Sequence, residues 1–256
     1  MTLNARQLEI ARLIQRVKQL DVRDLAQRFQ ISPVTIRKDL DILQMRGILK
    51  RTHGGALLAE DVDRTVQIDR RMDEMVDAKE SIARAALDLI FDCESVALDA
   101  GSTTLALAQL LKQNEMRVVT NSLLIAQGLS ARESGSVILL GGTWRRESSC
   151  YLGPDTLQML ERMNIDIAFV GTSGISLEAG FSCQNSLEAL VKAKILSRAQ
   201  RKFILGDSSK YGRRAFSTFA NLDEVDGLVT DEGLGAKALA ELTGTGLHVV
   251  TARMGS

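Results

Sequence analysis

Leu25-Ala-Gln-Arg-Phe-Gln-Ile-Ser-Pro-Val-Thr-Ile-Arg-Lys-Asp-Leu-Asp-Ile-Leu-Gln-Met-Arg-Gly-Ile-Leu-Lys-Arg-Thr-His-Gly-Gly-Ala56 is the stretch on which the reading of this chain turns. Ser32 followed by Pro33 is a helix start, because Ser is a favoured N-cap and Pro is pre-set for the first helical position. Ile36, Leu40 and Leu43 then fall on one face of the helix, while Val34, Arg37, Lys38 and Asp41 fall on the opposite one. Gly47 closes the helix at the C′ position. Residues 48–52 read as a short strand, Gly54-Gly55 as a tight turn and residues 56–58 as a return strand.

Upstream, Ile10, Leu13, Ile14 and Val17 form one apolar helical stripe. Asp21, three residues before Asp24, starts a second, short helix with Leu25, Ala26 and Phe29 as its apolar side. Three helices with a short second turn, followed by a basic hairpin, form a winged helix-turn-helix. Its third helix has an apolar back and a cationic front suited to the major groove. Arg37 and Lys38 can reach base edges or phosphates, and Val34 and Thr35 can touch a thymine methyl. Ser32 and Pro33 stand at an N-terminus that favours phosphate. Lys50, Arg51 and His53 lie on the wing, near the backbone or minor groove. Asp39, an acid among these groups, is expected to pair with Arg37 or Arg51.

The charge supports this division. The 256 residues carry 32 Lys and Arg against 32 Asp and Glu, which on its face disfavours a nucleic-acid partner. Residues 1–60, however, hold 11 basic against 6 acidic groups, and the other 196 hold 21 against 26. A small basic block at +5 beside a larger one at −5 is the outline of a nucleic-acid reader joined to another domain. The three cysteines are widely spaced and form neither a disulfide framework nor a C-x-x-C pair, which fits a reducing, cytoplasmic setting. The N-terminal stretch is charged throughout, and no run of about 18 apolar residues marks a membrane span.

Residues 59–76 are charged and aperiodic and read as a linker. From residue 77 to 256, apolar runs at 96–98, 118–119, 137–140, 167–170, 203–205, 228–229 and 249–250 alternate with helical stretches at 104–113, 123–130, 156–163, 187–201 and 235–242. A helix over 77–90 precedes them. This alternation predicts an α/β domain with a mostly parallel sheet. Small polar residues follow the strands: Asp99 to Thr104, Thr120-Asn121-Ser122, Gly141-Gly142-Thr143, Gly171 to Gly174 and Asp207 to Lys210. In open α/β sheets ligands sit at the carboxyl ends of the strands. Gly101, Ser102, Thr103 and Thr104 at a helix N-terminus suit a phosphate. Lys192, Lys210 and Arg145 add positive charge, and Asp99, Asn121 and Glu188 suit sugar hydroxyls. Gly171, Ser173 and Asp207 complete the candidate set. No G-x-G-x-x-G follows a strand, and neither G-x-x-x-x-G-K-[ST] nor H-E-x-x-H occurs, so no cofactor or metal is expected.

The head, over nearly all of its first 58 residues, resembles the DeoR-type bacterial transcription regulators. Ser32, Thr35, Ile36, Arg37, Asp39, Leu40, Arg51, His53, Gly54, Gly55 and Ala56 carry the likeness most specifically. Residues 77–256 resemble the sensor domain of the same family through LDAGSTT (98–104), VTNS (119–122), LLGGTWR (139–145), FVGTSGI (169–175), Glu188 with Lys192, DSSKYGR (207–213) and VTDEG (229–233). The resemblance implies a ribose-5-phosphate-isomerase-like fold that senses a sugar phosphate. It implies phosphate at residues 101–104, with Thr120, Asn121, Gly142, Glu188, Lys192 and Lys210 lining the rest. The expected partners are double-stranded operator DNA, a small phosphorylated sugar and further copies of the chain, as dimer or tetramer, with no membrane. The expected role is a regulator, and a repressor, of a carbohydrate operon. A sugar-phosphate isomerase fused to a DNA-binding head is the alternative. Isomerisation needs a carboxylate base, and no acid occupies residues 170–174, where the related isomerases carry an acid-rich loop. Glu188 and Asp207 remain.

Overall fold

The computed structural model describes residues 3–52, 54–58, 74–111, 115–131 and 134–253. The chain divides into two units, Met1–Asp69 and Arg70–Ser256.

In the first unit, helix α1 (Ala5–Val17) is capped by Asn4, whose side chain accepts from the Gln7 N–H. Strand β1 (Gln19–Asp21) leads into α2 (Val22–Phe29), with Asp21 as the expected N-cap. Helix α3 (Pro33–Met45) begins as read: the Ser32 side chain accepts from the Thr35 N–H and Pro33 takes the first turn. Gly47 (φ +70°) ends it. The backs of the three helices meet in one core of Ile10, Ile14, Leu25, Ile36, Leu40 and Leu43. The expected stripe on α1 is narrower than its spacing implied: Val17 is exposed, and its place is taken by Gln7 and Ala11. The stripe overshoots at Val17 because α1 ends there, with Lys18 in the left-handed region.

The wing is a three-stranded sheet. Strand β3 (Gly55–Leu58) sits between β2 (Leu49–Arg51) and β1, antiparallel to both. The β1 strand was not anticipated, since three residues carry too little pattern. Gly55 explains itself only through β1: a Cβ there would lie 1.9 Å from the Leu20 carbonyl oxygen.

In the second unit, the linker expected at 59–76 falls outside the described residues from 59 to 73, and Val76 already belongs to helix α4 (Val76–Leu87). All seven anticipated apolar runs are strands of one sheet: β4 (Ser95–Leu98), β5 (Arg117–Thr120), β6 (Ser136–Leu139), β9 (Ile165–Gly171), β12 (Ala199–Leu205), β14 (Gly227–Asp231) and β15 (His248–Ala252). Their order is β15-β14-β12-β9-β4-β5-β6, and every neighbouring pair is parallel.

Alternate residues along these strands enter two cores. Ala97, Val119, Ala168, Val170, Ile204 and Leu228 pack on one face, beneath α7 (Pro154–Glu161), α8 (Ser186–Ser197) and α9 (Ala236–Thr243). Val96, Leu98, Val118, Phe169, Leu205 and Val229 pack on the other, beneath α4, α5 (Ser102–Leu110) and α6 (Leu123–Gly128). Burial on both faces is why these strands read as continuous apolar runs rather than as alternation.

Helix α8 ends at Ser197, four residues short of its expected end, because Ala199 to Leu205 continue the apolar run as a strand. Two small antiparallel sheets complete the unit. One is the hairpin of β7 (Thr143–Arg145) and β8 (Cys150–Leu152). The other has the order β10 (Gly174–Ser176), β11 (Gly180–Cys183) and β13 (Ser217–Ala220). No helix among the described residues is long and apolar enough to cross a membrane.

Candidate functional site

The chain runs β4, β5, β6 outward in one direction, then returns to place β9 on the other side of β4 and continues β12, β14, β15 the opposite way. The reversal lies between β4 and β9, and the loops leaving their carboxyl ends part there to form a crevice, the usual ligand position of such sheets. A cleft of about 230 Å³ lies at this point, walled by the loop at Ala100–Thr103, the loop at Gly171–Ser173, Glu188 and Lys192 of α8, and the Gly206–Lys210 turn.

Helix α5 opens into this cleft. Thr104, fully buried, donates from Oγ1 to the Asp99 carbonyl (2.8 Å) and accepts from the Gly101 N–H (3.0 Å), which closes the turn. The first N–H groups of a helix have no intrahelical partner. Those of Ser102 and Thr103, with their hydroxyls, stand at the wall and favour an anion.

Asp99 and Lys192 form a buried ion pair beneath the floor of the cleft. Asp99 Oδ1 also accepts from the Gly171 N–H (2.9 Å), and Lys192 Nζ donates to the Gly171 carbonyl (2.9 Å). Burial alone would lower the Lys192 pKa, but the Asp99 carboxylate outweighs it and holds the ammonium above the usual lysine range. Glu188 and Lys192, four residues apart, share one face of α8. Arg145 Nε approaches Glu188 Oε1 at 3.4 Å. At the opposite wall, Asp207 accepts from the Ser209 N–H (3.1 Å) and lies 3.3 Å from Lys210 Nζ. The buried Asp231 accepts from the Ser208 N–H (2.6 Å) and its hydroxyl (2.9 Å), fixing that turn from below. Cys183 lines the cleft, and burial raises its pKa; burial pushes the nearby Cys150 thiol up to about 12, so both are neutral.

Of the residues singled out in the sequence, Gly101, Ser102, Thr103, Gly171, Ser173, Glu188, Lys192, Asp207 and Lys210 line the cleft. Asp99 and Asn121 line a smaller recess that shares Glu188 and Lys192 with it. Thr104, Thr120 and Gly142 do not line it. Thr120 Oγ1 accepts from the Ser122 N–H (3.1 Å). Gly142 (φ +135°) faces Thr156, whose Oγ1 would lie 2.4 Å from an added Cβ. Arg145 reaches the cleft only through Glu188. Sequence reasoning missed Glu74, Met75, Lys79, Gln184 and Arg213. Glu74 and Met75 fall in the expected linker, Lys79 and Gln184 lie on elements whose return to this edge no local pattern records, and Arg213 closes the DSSKYGR stretch, in which only Asp207 and Lys210 are singled out. Four cationic side chains (Lys79, Lys192, Lys210, Arg213) face three acidic ones (Glu74, Glu188, Asp207), so an acidic domain presents a locally cationic cleft.

On the first unit, Val34, Arg37, Lys38 and Lys50 are exposed, as a reading face requires. Ser32 and Thr35 cap α3 through paired hydroxyls (3.0 Å). Asp39 is buried and pairs with neither expected partner. It accepts from Arg6 Nε (2.6 Å) and Gln7 Nε2 (2.9 Å), tying α3 to α1. Arg51 instead pairs with Asp41, and its backbone N–H donates to Gln44 Oε1 (2.7 Å), tying the wing to α3. His53 lies outside the described residues.

A DNA-reading head and a small-anion receptor define a ligand-responsive regulator of transcription. Two families match in that order: the DeoR-like helix-turn-helix domain over residues 6–62 and the DeoR C terminal sensor domain over residues 74–232. The chain is 35% identical to the HTH-type transcriptional regulator GlpR of Haloferax volcanii over 90% of each chain. It is 32% identical to a putative aga operon transcriptional repressor of Escherichia coli O157:H7, over 93% of this chain and 91% of that one. It is 33% identical to the L-fucose operon activator of Escherichia coli K12, over 89% and 95%. Among solved structures, ribose 5-phosphate isomerase A from Neisseria gonorrhoeae is similar over 53% of each chain, with a TM-score of 0.39 and 16% identity. The chain belongs to the DeoR family of transcriptional regulators. Its relatives act on transcription and are not enzymes, so the isomerase alternative falls.

Proposed function

We propose that the chain controls a carbohydrate-utilisation operon, and that a phosphorylated sugar in the cleft sets its affinity for operator DNA. The observation that supports this most is the helix N-terminus of Ser102 and Thr103 opening onto a cleft with four cationic side chains. The phosphate takes the α5 N–H groups and hydroxyls, with Lys210 and Arg213 adding charge. Polar groups along Gly171–Ser173 and Glu188 take the sugar hydroxyls. Asp207 and Arg145 act one step back, by holding Lys210 and Glu188.

On DNA, α3 enters the major groove with Val34, Arg37 and Lys38 foremost, and Lys50 of the wing meets the backbone. One small head buries little DNA surface, so the chain acts as a dimer or tetramer on a repeated operator. Ligand binding redirects the heads and weakens operator binding, as a repressor released by its inducer, in the cytoplasm. The mutation Thr103→Asp tests the cradle, because it sets a fixed anion where the phosphate belongs. Phosphorylated sugars should raise the wild-type melting temperature and leave that of Thr103→Asp unchanged, while both bind DNA equally. An equal shift in the variant would refute the cradle.

A further inference from the structure

The small recess that shares Ala100, Glu188 and Lys192 with the cleft extends to Asn121 and Cys150. Its volume is about 10 Å³, roughly the room one water-sized group needs. Asn121 is 3% exposed, and its Nδ2 donates to the Tyr151 carbonyl (3.1 Å). That bond fixes the amide, because a backbone carbonyl can only accept. Asn121 Oδ1 is therefore an acceptor, and it is buried with no hydrogen-bond partner among the described residues. A buried acceptor left unpaired costs free energy, and such an atom on the wall of a ligand cleft points to a missing donor.

The other walls define that donor. The carboxylate of Glu188 offers only acceptors. Lys192 has three N–H groups and gives two of them to Asp99 and Gly171, which leaves one to point at a new oxygen. The recess thus combines acceptors, one spare donor and room for a single heavy atom. A hydroxyl satisfies all three, donating to Asn121 Oδ1 or Glu188 and accepting from Lys192. A phosphate oxygen would meet the carboxylate of Glu188 and the lone pairs of Asn121. A methyl group or hydrogen would leave Asn121 Oδ1 unpaired.

We infer that this recess reads one free hydroxyl of the ligand and that Asn121 is its specificity-determining acceptor, an inference that rests on the cleft being a sugar-phosphate site. The bound sugar is then held at two points, its phosphate on α5 and one hydroxyl in the recess, and its singly deoxygenated analogue is rejected.

The test uses the full chain and calorimetric titration with inorganic phosphate, hexose 1- and 6-phosphates and pentose 5-phosphates. Each sugar phosphate that binds is paired with its singly deoxygenated counterparts. For the tightest ligand, removal of one particular hydroxyl should weaken binding by at least about 100-fold, as in sites built around a substrate hydroxyl. In Asn121→Ala that discrimination should fall below about threefold, while affinity for inorganic phosphate stays at the wild-type value. If no single deoxygenation costs the wild type more than threefold, the recess holds a resident water and the inference is overturned. The same holds if discrimination persists in Asn121→Ala. Should Asn121→Ala not fold, the wild-type deoxygenation series decides alone, by the same threshold. If neither inorganic phosphate nor any sugar phosphate binds the wild type, the reading of the cleft itself has failed, and the inference with it.

Discussion

Each half of this molecule buries one carboxylate against a distant cation, and the two pairs differ in kind. In the head, both oxygens of Asp39 are taken by Arg6 and Gln7, and the network is closed. In the sensor, Asp99 is taken by Lys192 and Gly171, yet Lys192 keeps a spare donor at the edge of a cleft and a recess. The closed pair locks two helices together, so that an exposed face of uncommitted cations can be presented to DNA. On the function proposed above, the open pair positions a charge for a ligand. A buried ion pair by itself is weak evidence for either stability or function; what distinguishes the two is the hydrogen-bonding capacity left over.

The comparison can be broken most forcefully at Lys192. Lys192→Met strands Asp99 without its cation and should cost about 3–5 kcal/mol of stability, read by urea unfolding, together with loss of sugar-phosphate binding. Normal ligand binding in that variant would make the pair as closed as that of Asp39. In the head, Asp39→Ala should cost about 1–3 kcal/mol, less because Arg6 is partly exposed and can rehydrate. It should impair DNA binding and leave ligand-induced stabilisation of the sensor intact. Arg37→Ala should leave folding unchanged and cost about 1–3 kcal/mol of discrimination between operator and random DNA. Equal losses on both would assign Arg37 to a phosphate.

The smallest effect concerns pH. Burial alone would raise the Asp166 pKa, but hydrogen bonds from the Ser95 hydroxyl and the Ser95 and Glu94 N–H groups hold it below its ordinary value of 3.8. A depressed carboxyl contributes stability above its unfolded pKa and loses it as pH falls through the folded one. The stability difference between wild type and Asp166→Asn should therefore be constant at neutral pH and shrink below about pH 4. Lys192 runs the other way: its raised pKa keeps its contribution in full up to the ordinary lysine value of 10.5 and loses it only above that.

The two halves also differ in how far they could be read without a structure. The head is legible because its signals are local: Ser32-Pro33 starts a helix, Gly47 ends it, and Ile36, Leu40 and Leu43 mark its back within eight residues. Where local pattern fails in the head, the missing information is long-range. Asp39 was expected to meet Arg37 or Arg51, which lie nearby in sequence, but it turns to Arg6, thirty-three residues away. Likewise β1 exists only through its pairing with β3. In the sensor, all seven sheet strands were visible as doubly buried apolar runs, and the loops after them as polar punctuation. Strand order was not visible, and strand order is what brings residues 99–104 and 171–173 to a common crevice. Lys79 reaches the cleft from a helix with no site-like motif, and Arg213 from the end of the DSSKYGR stretch, three residues beyond the last one singled out there. Thr104, Thr120 and Gly142 carry the right residue types for a ligand site, but their polar atoms or their missing side chains serve the turn itself.

The central claim is that the cleft and the reading face are thermodynamically linked. The most direct measurement is a fluorescence-anisotropy titration of the full chain onto the DNA it selects from a random-sequence pool, with and without the phosphorylated sugar that most raises its melting temperature. Operator affinity should weaken by roughly 5- to 150-fold, a coupling of about 1–3 kcal/mol, with little change on random DNA. A sugar phosphate that saturates the cleft and leaves operator affinity unchanged would contradict it.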